Sequence, residues 1–293
     1  MFATCYVCGG TEWITRVGSL RDAPSIGVVE CRDCGLVVPA GAPQVALDYW
    51  AGTMHGDAPI DLAEWRNSCA EDDQRRVKAV QSLLNAGDAV LDIGCGSGGF
   101  IHEMKRVGVP TFGIELDSVA CDFLNSEGLS VWPDLAQMPE SKRQEVQVAT
   151  MFHVLEHLRD PRVFLREALE ALPNVRLFVI EVPCAEDPLL TLYESEAFSC
   201  FTYWSHHEHL HSKRSLESVF WGIFDSIEVS RLQRYGLANH LGWLSRGKPG
   251  GQVKMSWLER SPADVEYRSE VIAQGFSDTL WAVALISPNS AGR

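Results

Sequence analysis

The chain has 293 residues, 46% of them hydrophobic, and a formal net charge of −14. That length allows one large domain or two smaller ones with a sizeable core; no apolar run approaches the ~20 residues of a membrane span, and Met1 to Cys5 lacks the basic and apolar regions of a signal peptide. The expectation is a soluble, cytoplasmic chain whose charge repels a phosphate backbone, so a small molecule is expected as partner and nucleic acid is not.

The nine cysteines fall into two groups. Cys69, Cys95, Cys121, Cys184 and Cys200 are scattered, as reduced thiols of a cytosolic protein are. Cys5-x-x-Cys8 and Cys31-x-x-Cys34 instead form two knuckles separated by 22 residues, each followed by a glycine, Gly9 or Gly35. Four thiolates in this pattern are a ligand set for tetrahedral structural zinc, with disulfides or an iron–sulfur cluster as the alternatives. A closed shell of four cysteines leaves the metal no part in chemistry. Trp13 to Val17 and Ile26 to Glu30 read as short strands of a zinc ribbon over residues 1–42. Pro39 to Pro43 is a breaker-rich linker into a helical segment, 43–86. Tyr49, Trp50 and Trp65 lie in it, followed by the charged run Glu71 to Lys78 and by Val77, Val80, Leu83 and Leu84 on one helical face.

From Gly87 the pattern alternates strands (89–93, 111–116, 129–132, 146–151, 175–182) with helices (99–107, 118–126, 161–171), which predicts an α/β, doubly wound, Rossmann-like sheet. The first strand runs into Asp92-Ile93-Gly94-Cys95-Gly96-Ser97-Gly98-Gly99, a glycine turn at a strand's carboxyl end, where such sheets bind nucleotides. Gly94 to Gly99 nearly matches the dinucleotide fingerprint, with Glu115 at the distance of its ribose-binding acid. Asp92 inside the motif favours a cationic or hydroxyl-rich ligand over a pyrophosphate, and with Glu115 ending the second strand two acids face one pocket. A glycine turn that binds nothing is the remaining possibility. The stretch resembles motif I of the class I S-adenosylmethionine (SAM) methyltransferases.

That resemblance implies a seven-stranded sheet, a helical lid over the cofactor from residues 43–86, and particular contacts. Glu115 would hold the ribose hydroxyls, the 94–98 loop (Gly94, Cys95, Gly96, Gly98) would pass under the methionine portion, and Asp92 would organise that loop. Asp134, after the short third strand, would sit at the adenine amine or else be an exposed loop acid, and Leu116, Leu135 and Phe152 complete the cofactor's surroundings. The fourth strand ends in Phe152-His153-Val154-Leu155-Glu156-His157-Leu158-Arg159-Asp160-Pro161. His153-x-x-Glu156-His157 matches a zinc-peptidase pattern that requires both histidines on one helix. Here the histidine directly follows a strand, and the stretch resembles the methyltransferases' segment beside the methyl-donor sulfonium.

Two insertions follow, about 184–212 and 233–278. The first carries Tyr203, Trp204, His206, His207, Glu208, His209 and His211 before a helix capped by Ser212. His207, His209 and His211 alternate along an extended segment, which allows acceptor contacts or a second metal. The aromatics suit stacking on a sugar ring. Strands 227–231 and 280–286 complete the sheet, making residues 87–293 the methyltransferase domain. The knuckles and insertions loosely resemble methyltransferases of sugar and polysaccharide pathways. The expected reaction is O- or C-methylation of a carbohydrate or nucleotide-linked sugar, with His153, His207 or His209 as general base. A nucleic-acid or protein methyltransferase reading its substrate through the ribbon, and a non-catalytic SAM-binding scaffold, are the alternatives.

Overall fold

The computed structural model describes residues 4–41 and 61–286; Tyr49, Trp50 and Pro43 of the linker reading lie outside the described residues. At the N-terminus β1 (Trp13–Ser19), β2 (Gly27–Cys31) and β3 (Val37–Pro39) form an antiparallel three-stranded sheet. The sequence marks β1 and β2 but reads the end of β3 as linker. Val37 and Val38 are buried, which is why a three-residue run suffices to make a strand there.

Helix α1 (Leu62–Gln81) leads into β4 (Ala89–Ile93), α2 (Gly99–Arg106), β5 (Thr111–Ile114), α3 (Ser118–Ser126), β6 (Val131–Trp132), β7 (Val146–Phe152) and β8 (Leu177–Pro183), with β9 (Ser226–Leu232) and β10 (Thr279–Leu285) closing the chain. Among the described residues they make a seven-stranded sheet in the order β6-β5-β4-β7-β8-β10-β9. β4 pairs in parallel with β5 and β7, and β7 with β8, while β10 runs antiparallel to both β8 and β9. The doubly wound fold is therefore present as the alternation predicts.

The central strands are apolar on both faces, as covered parallel strands must be. Leu91, Ile93, Ala149, Met151, Phe178 and Ile180 pack into one buried cluster, and Val90, Val148, Leu177 and Val179 into another with Val77 and Val80 of α1 and Phe100 of α2. Alternate residues of each strand go to opposite clusters, the period-two geometry of a strand. α1 thus seals one face of the sheet and reaches past its carboxyl edge.

The first insertion is more regular than the sequence suggests, with helical turns at Pro188–Thr191 and Glu196–Thr202 and then a helix at Lys213–Phe220 whose N-cap is Ser212. It is the element on which the N-terminal sheet is seated. Val37 and Leu210 exchange backbone hydrogen bonds of 2.9 and 2.8 Å, Arg16 Nη1 donates to the Ala185 carbonyl at 3.0 Å, and Leu20, Val28, Val37, Ala185, Leu190, Tyr203 and Leu210 share a buried cluster.

Candidate active site

A cavity of about 970 Å³ opens at the carboxyl ends of β4, β5, β6 and β7, roofed by α1. Its lining includes Asp92, Gly94, Cys95, Gly96, Glu115, Leu116, Asp134, Leu135, Phe152 and His153, residues scattered over sixty positions that the parallel topology gathers at one edge. Asp92 is buried and accepts a 2.7 Å hydrogen bond from Thr150 Oγ1 on the neighbouring strand. Burial pushes its carboxyl up to about 7 against the pull of that bond. Glu115 accepts from the Gly96 and Asp117 amides at 2.7 and 2.9 Å, yet burial still holds its pKa above the usual carboxylate value. Asp134 sits at the rim, accepting from Gln137 through both carboxylate oxygens.

The glycine loop is shaped by close approach. Gly96 has φ +53°, and a Cβ there would come within 2.9 Å of the Trp65 indole, which α1 lays over the loop. Gly98 is a different case. It has φ +73° and is absent from the cavity lining; its missing Cβ would meet Leu124 Cδ2 of α3 at 2.5 Å. Of the expected loop contacts Gly98 is the one outside the cavity lining, although Ser97 and Gly99 on either side belong to it; its missing Cβ makes room for α3.

His153 follows β7 with φ +58°, the left-handed region that a side chain disfavours. Its Nδ1–H donates to Glu156 at 3.3 Å, and Nε2 stands 3.2 Å from Glu181 Oε1. Burial works to lower the pKa of this imidazole, but the two carboxylates outweigh it and hold it above the ordinary histidine value. Glu156 in turn is kept ionised, down to about 2, by His153 and His157 in spite of its burial.

Glu181, in an apolar strand and fully buried, is the hub of a charged network that sequence reading missed. It receives Arg75 and Arg76 of α1 at 2.7 Å each, while Arg234 bridges Asp72 at 2.9 Å and donates to Thr279 at 2.8 Å. The signals were present: a lone acid inside Leu177–Pro183, and arginines in the charged run of α1. Asp72, Asp73, Arg76, Arg234 and Tyr235 all line the cavity.

The three histidines proposed as base separate. His153 and His207 reach the cavity; His209 does not. Its ring is buried, its Nε2 donates to the Leu158 carbonyl at 2.9 Å, and it packs 4.8 Å from Tyr6. Burial lowers His207 to about 3, His209 to about 4 and His211 to about 3. Trp204 lines the cavity while carrying the Arg21 guanidinium and the His206 ring, each 4.2 Å from its ring centre; Tyr235, from the second insertion, is the more exposed ring there, with the Arg234 guanidinium 5.3 Å from its centre.

Away from the cavity, the sulfurs of Cys5, Cys8, Cys31 and Cys34 lie within 4.8 Å of one another, with Cys5–Cys34 at 3.7 Å and Cys8–Cys31 at 3.5 Å and no disulfide. Four sulfurs ~2.3 Å from a common tetrahedral centre stand ~3.8 Å apart, so the cluster has the dimensions of a zinc site.

A family model described as a methyltransferase domain matches residues 63–223. A comparison with curated proteins finds no match. Among solved structures, the chain is similar to a SAM-dependent methyltransferase from Thermotoga maritima described as a possible histamine N-methyltransferase, at 18% identity over 78% of this chain and 96% of that one with a TM-score of 0.50. It is similar also to the plantazolicin methyltransferase BpumL in complex with SAH, at 13% identity over 82% of this chain and 93% of the other, TM-score 0.50. At such identities the likeness is one of fold.

Proposed function

The chain belongs to the methyltransferase-domain family, and from that membership we propose that it transfers the methyl group of SAM to a small polyhydroxyl acceptor of the carbohydrate class. The observation that carries the reading is the cavity. It joins a glycine loop and the carboxyl groups of Asp92, Glu115 and Asp134 at one end to His153, Arg234 and Tyr235 at the other. Its ~970 Å³ lies at the upper end of the range for small-molecule sites, enough for a cofactor and an acceptor together.

The residues fit such a cofactor. Glu115, fixed by two backbone amides, presents a carboxylate to vicinal hydroxyls. Gly96 gives the methionine portion a bare backbone, and Trp65 of α1 covers it. The cofactor supplies a methyl group on a sulfonium centre, and the chain positions the acceptor in line with it and removes a proton. His153, which lines the cavity with Glu156 and Glu181 flanking its ring, is the residue we assign to that proton; Tyr235 offers a ring face to the sugar. The four-cysteine cluster is read as structural zinc, residues 1–42 as its ribbon, 43–86 as the lid, and 87–293 as the catalytic domain.

Calorimetry with SAH followed by methyl transfer to a panel of nucleotide sugars tests the reading. Binding of SAH with turnover of at least one sugar is the expected outcome. Absence of SAH binding would remove the reading altogether, and SAH binding with turnover confined to amines or nucleic acid would remove the carbohydrate acceptor. His153→Ala should leave SAH affinity in place while turnover falls ~10²–10⁴-fold, the usual contribution of a general base.

A further inference from the structure

A second cluster of ligating side chains lies inside the cavity itself. A carboxylate oxygen of Glu156 and one ring nitrogen each of His157 and His207 lie within 4.8 Å of one another, and all three residues line the cavity. They come from two elements: Glu156 and His157 from the 3₁₀ turn Leu155–His157 after β7, and His207 from the first insertion.

Glu156 is 1% exposed. Its Oε1 is satisfied by His153, but its Oε2 is buried without a hydrogen-bond partner, and so is Nδ1 of His207. A buried carboxylate oxygen left in that condition is costly unless a cation is to take it. His157 donates from Nδ1–H to the His206 carbonyl at 2.8 Å, which puts the ring's lone pair on Nε2. A backbone carbonyl on the far nitrogen is the outer contact that commonly fixes the tautomer of a metal-ligating histidine.

We propose that Glu156, His157 and His207 bind a divalent transition-metal ion at the acceptor end of the cavity, a site separate from the four cysteines. Two imidazoles and one carboxylate suit first-row ions such as manganese, iron or cobalt rather than magnesium or calcium, and three ligands leave positions open. What the ion would do there rests on the methyl-transfer reading. An acceptor with adjacent hydroxyls would take the open positions, and a ligated hydroxyl loses its proton more readily, the proton leaving to solvent through the open cavity. The pattern His153-x-x-Glu156-His157 then contributes metal ligands without forming the helix of a peptidase.

The test titrates Mn²⁺ into the full chain with its four-cysteine site zinc-loaded, following loss of the free-ion electron paramagnetic resonance signal, with SAH binding measured on the same samples. Wild type with its four-cysteine site occupied by zinc is expected to take up one Mn²⁺, since thiolates do not favour manganese. His207→Ala should weaken uptake by more than the ~10–100-fold that loss of an outer-shell contact costs. Glu156→Gln, which keeps the side-chain shape, should do likewise and serves if the alanine variant folds poorly. An unchanged free-ion signal with wild type, or wild-type uptake by both variants, overturns the site. SAH binding without Mn²⁺ uptake rejects the metal alone; Mn²⁺ uptake without SAH binding keeps the metal site and rejects the methyl-transfer reading.

Discussion

The carboxylates of this chain divide by what surrounds them, and two of them make predictions. Glu115 gains two amide hydrogen bonds and, among the described residues, no ion pair, so a ligand's hydroxyls are the natural further donors. Glu115→Ala should weaken SAM binding by about 1–3 kcal/mol, the range for losing a hydrogen bond to a charged group, as read by calorimetry; an unchanged dissociation constant would take Glu115 out of the site. Asp187 is buried, and burial together with Asp278 raises its carboxyl to about 8 although Arg234 pulls the other way. Its folded pKa lies above its unfolded one. The stability it contributes is therefore complete below the ordinary carboxylate pKa and is lost as pH rises through about 8. Denaturant unfolding of wild type should show that decline across the neutral range, reinforced by Asp92, and Asp187→Asn should flatten it. Motif spacing alone makes Asp92 and Glu115 legible in the sequence. The left-handed His153 and the hydrogen bond from Thr150 to Asp92 are not, because neither a backbone strain nor a cross-strand contact leaves a periodic trace in sequence.

Among the elements, α1 shows how a solvated-looking pattern hides a buried function. Its apolar face, Val77 and Val80, is readable from helical spacing and packs on the sheet as spacing predicts. Its charged residues are not readable in the same way, since Arg76 turns inward to a glutamate more than a hundred positions away. Glu181→Gln keeps the shape but strips the negative charge that Arg75, Arg76 and His153 all face. We expect a loss of about 3–5 kcal/mol in thermal or denaturant unfolding, the cost of breaking a buried pair. A loss below ~1 kcal/mol would mean that water reaches the network. Gly98→Ala should destabilise by about 1–3 kcal/mol through overpacking against Leu124 and a disfavoured φ, with SAM affinity in the surviving folded protein little changed. The existence of strands and helices in the central domain follows from alternation; the four- and seven-residue helical turns of the first insertion, Pro188–Thr191 and Glu196–Thr202, escape it because each is shorter than the window in which a helical period is read.

Across the whole molecule, the N-terminal sheet and the catalytic domain share one cluster through the 203–211 segment. Metal analysis should find about one zinc per chain in protein purified without added divalent ions, because a four-cysteine site folds around its metal. Cys5→Ser or chelation should leave SAM binding largely intact yet slow turnover with the acceptor, since the segment carrying His207 is backed by β3. Equal turnover before and after zinc removal would show that the ribbon does not support the cavity. The knuckles themselves are plain in the sequence. That they brace an insertion near residue 210 is not, for long-range docking between two irregular segments has no local pattern to announce it.

The contact of Ser212 Oγ with the Cys34 carbonyl, at 2.5 Å, joins positions 178 apart. During synthesis the cysteine knuckles leave the ribosome and can capture their metal while the segment that will hold β3's open edge has yet to be translated. At ~5–20 residues per second, that interval is on the order of ten seconds or more. For that time the small sheet carries an unpaired strand edge and an uncovered apolar face, the condition under which nascent chains associate with one another. Translation rate and chaperone supply should then bear on how much of this protein reaches its native state.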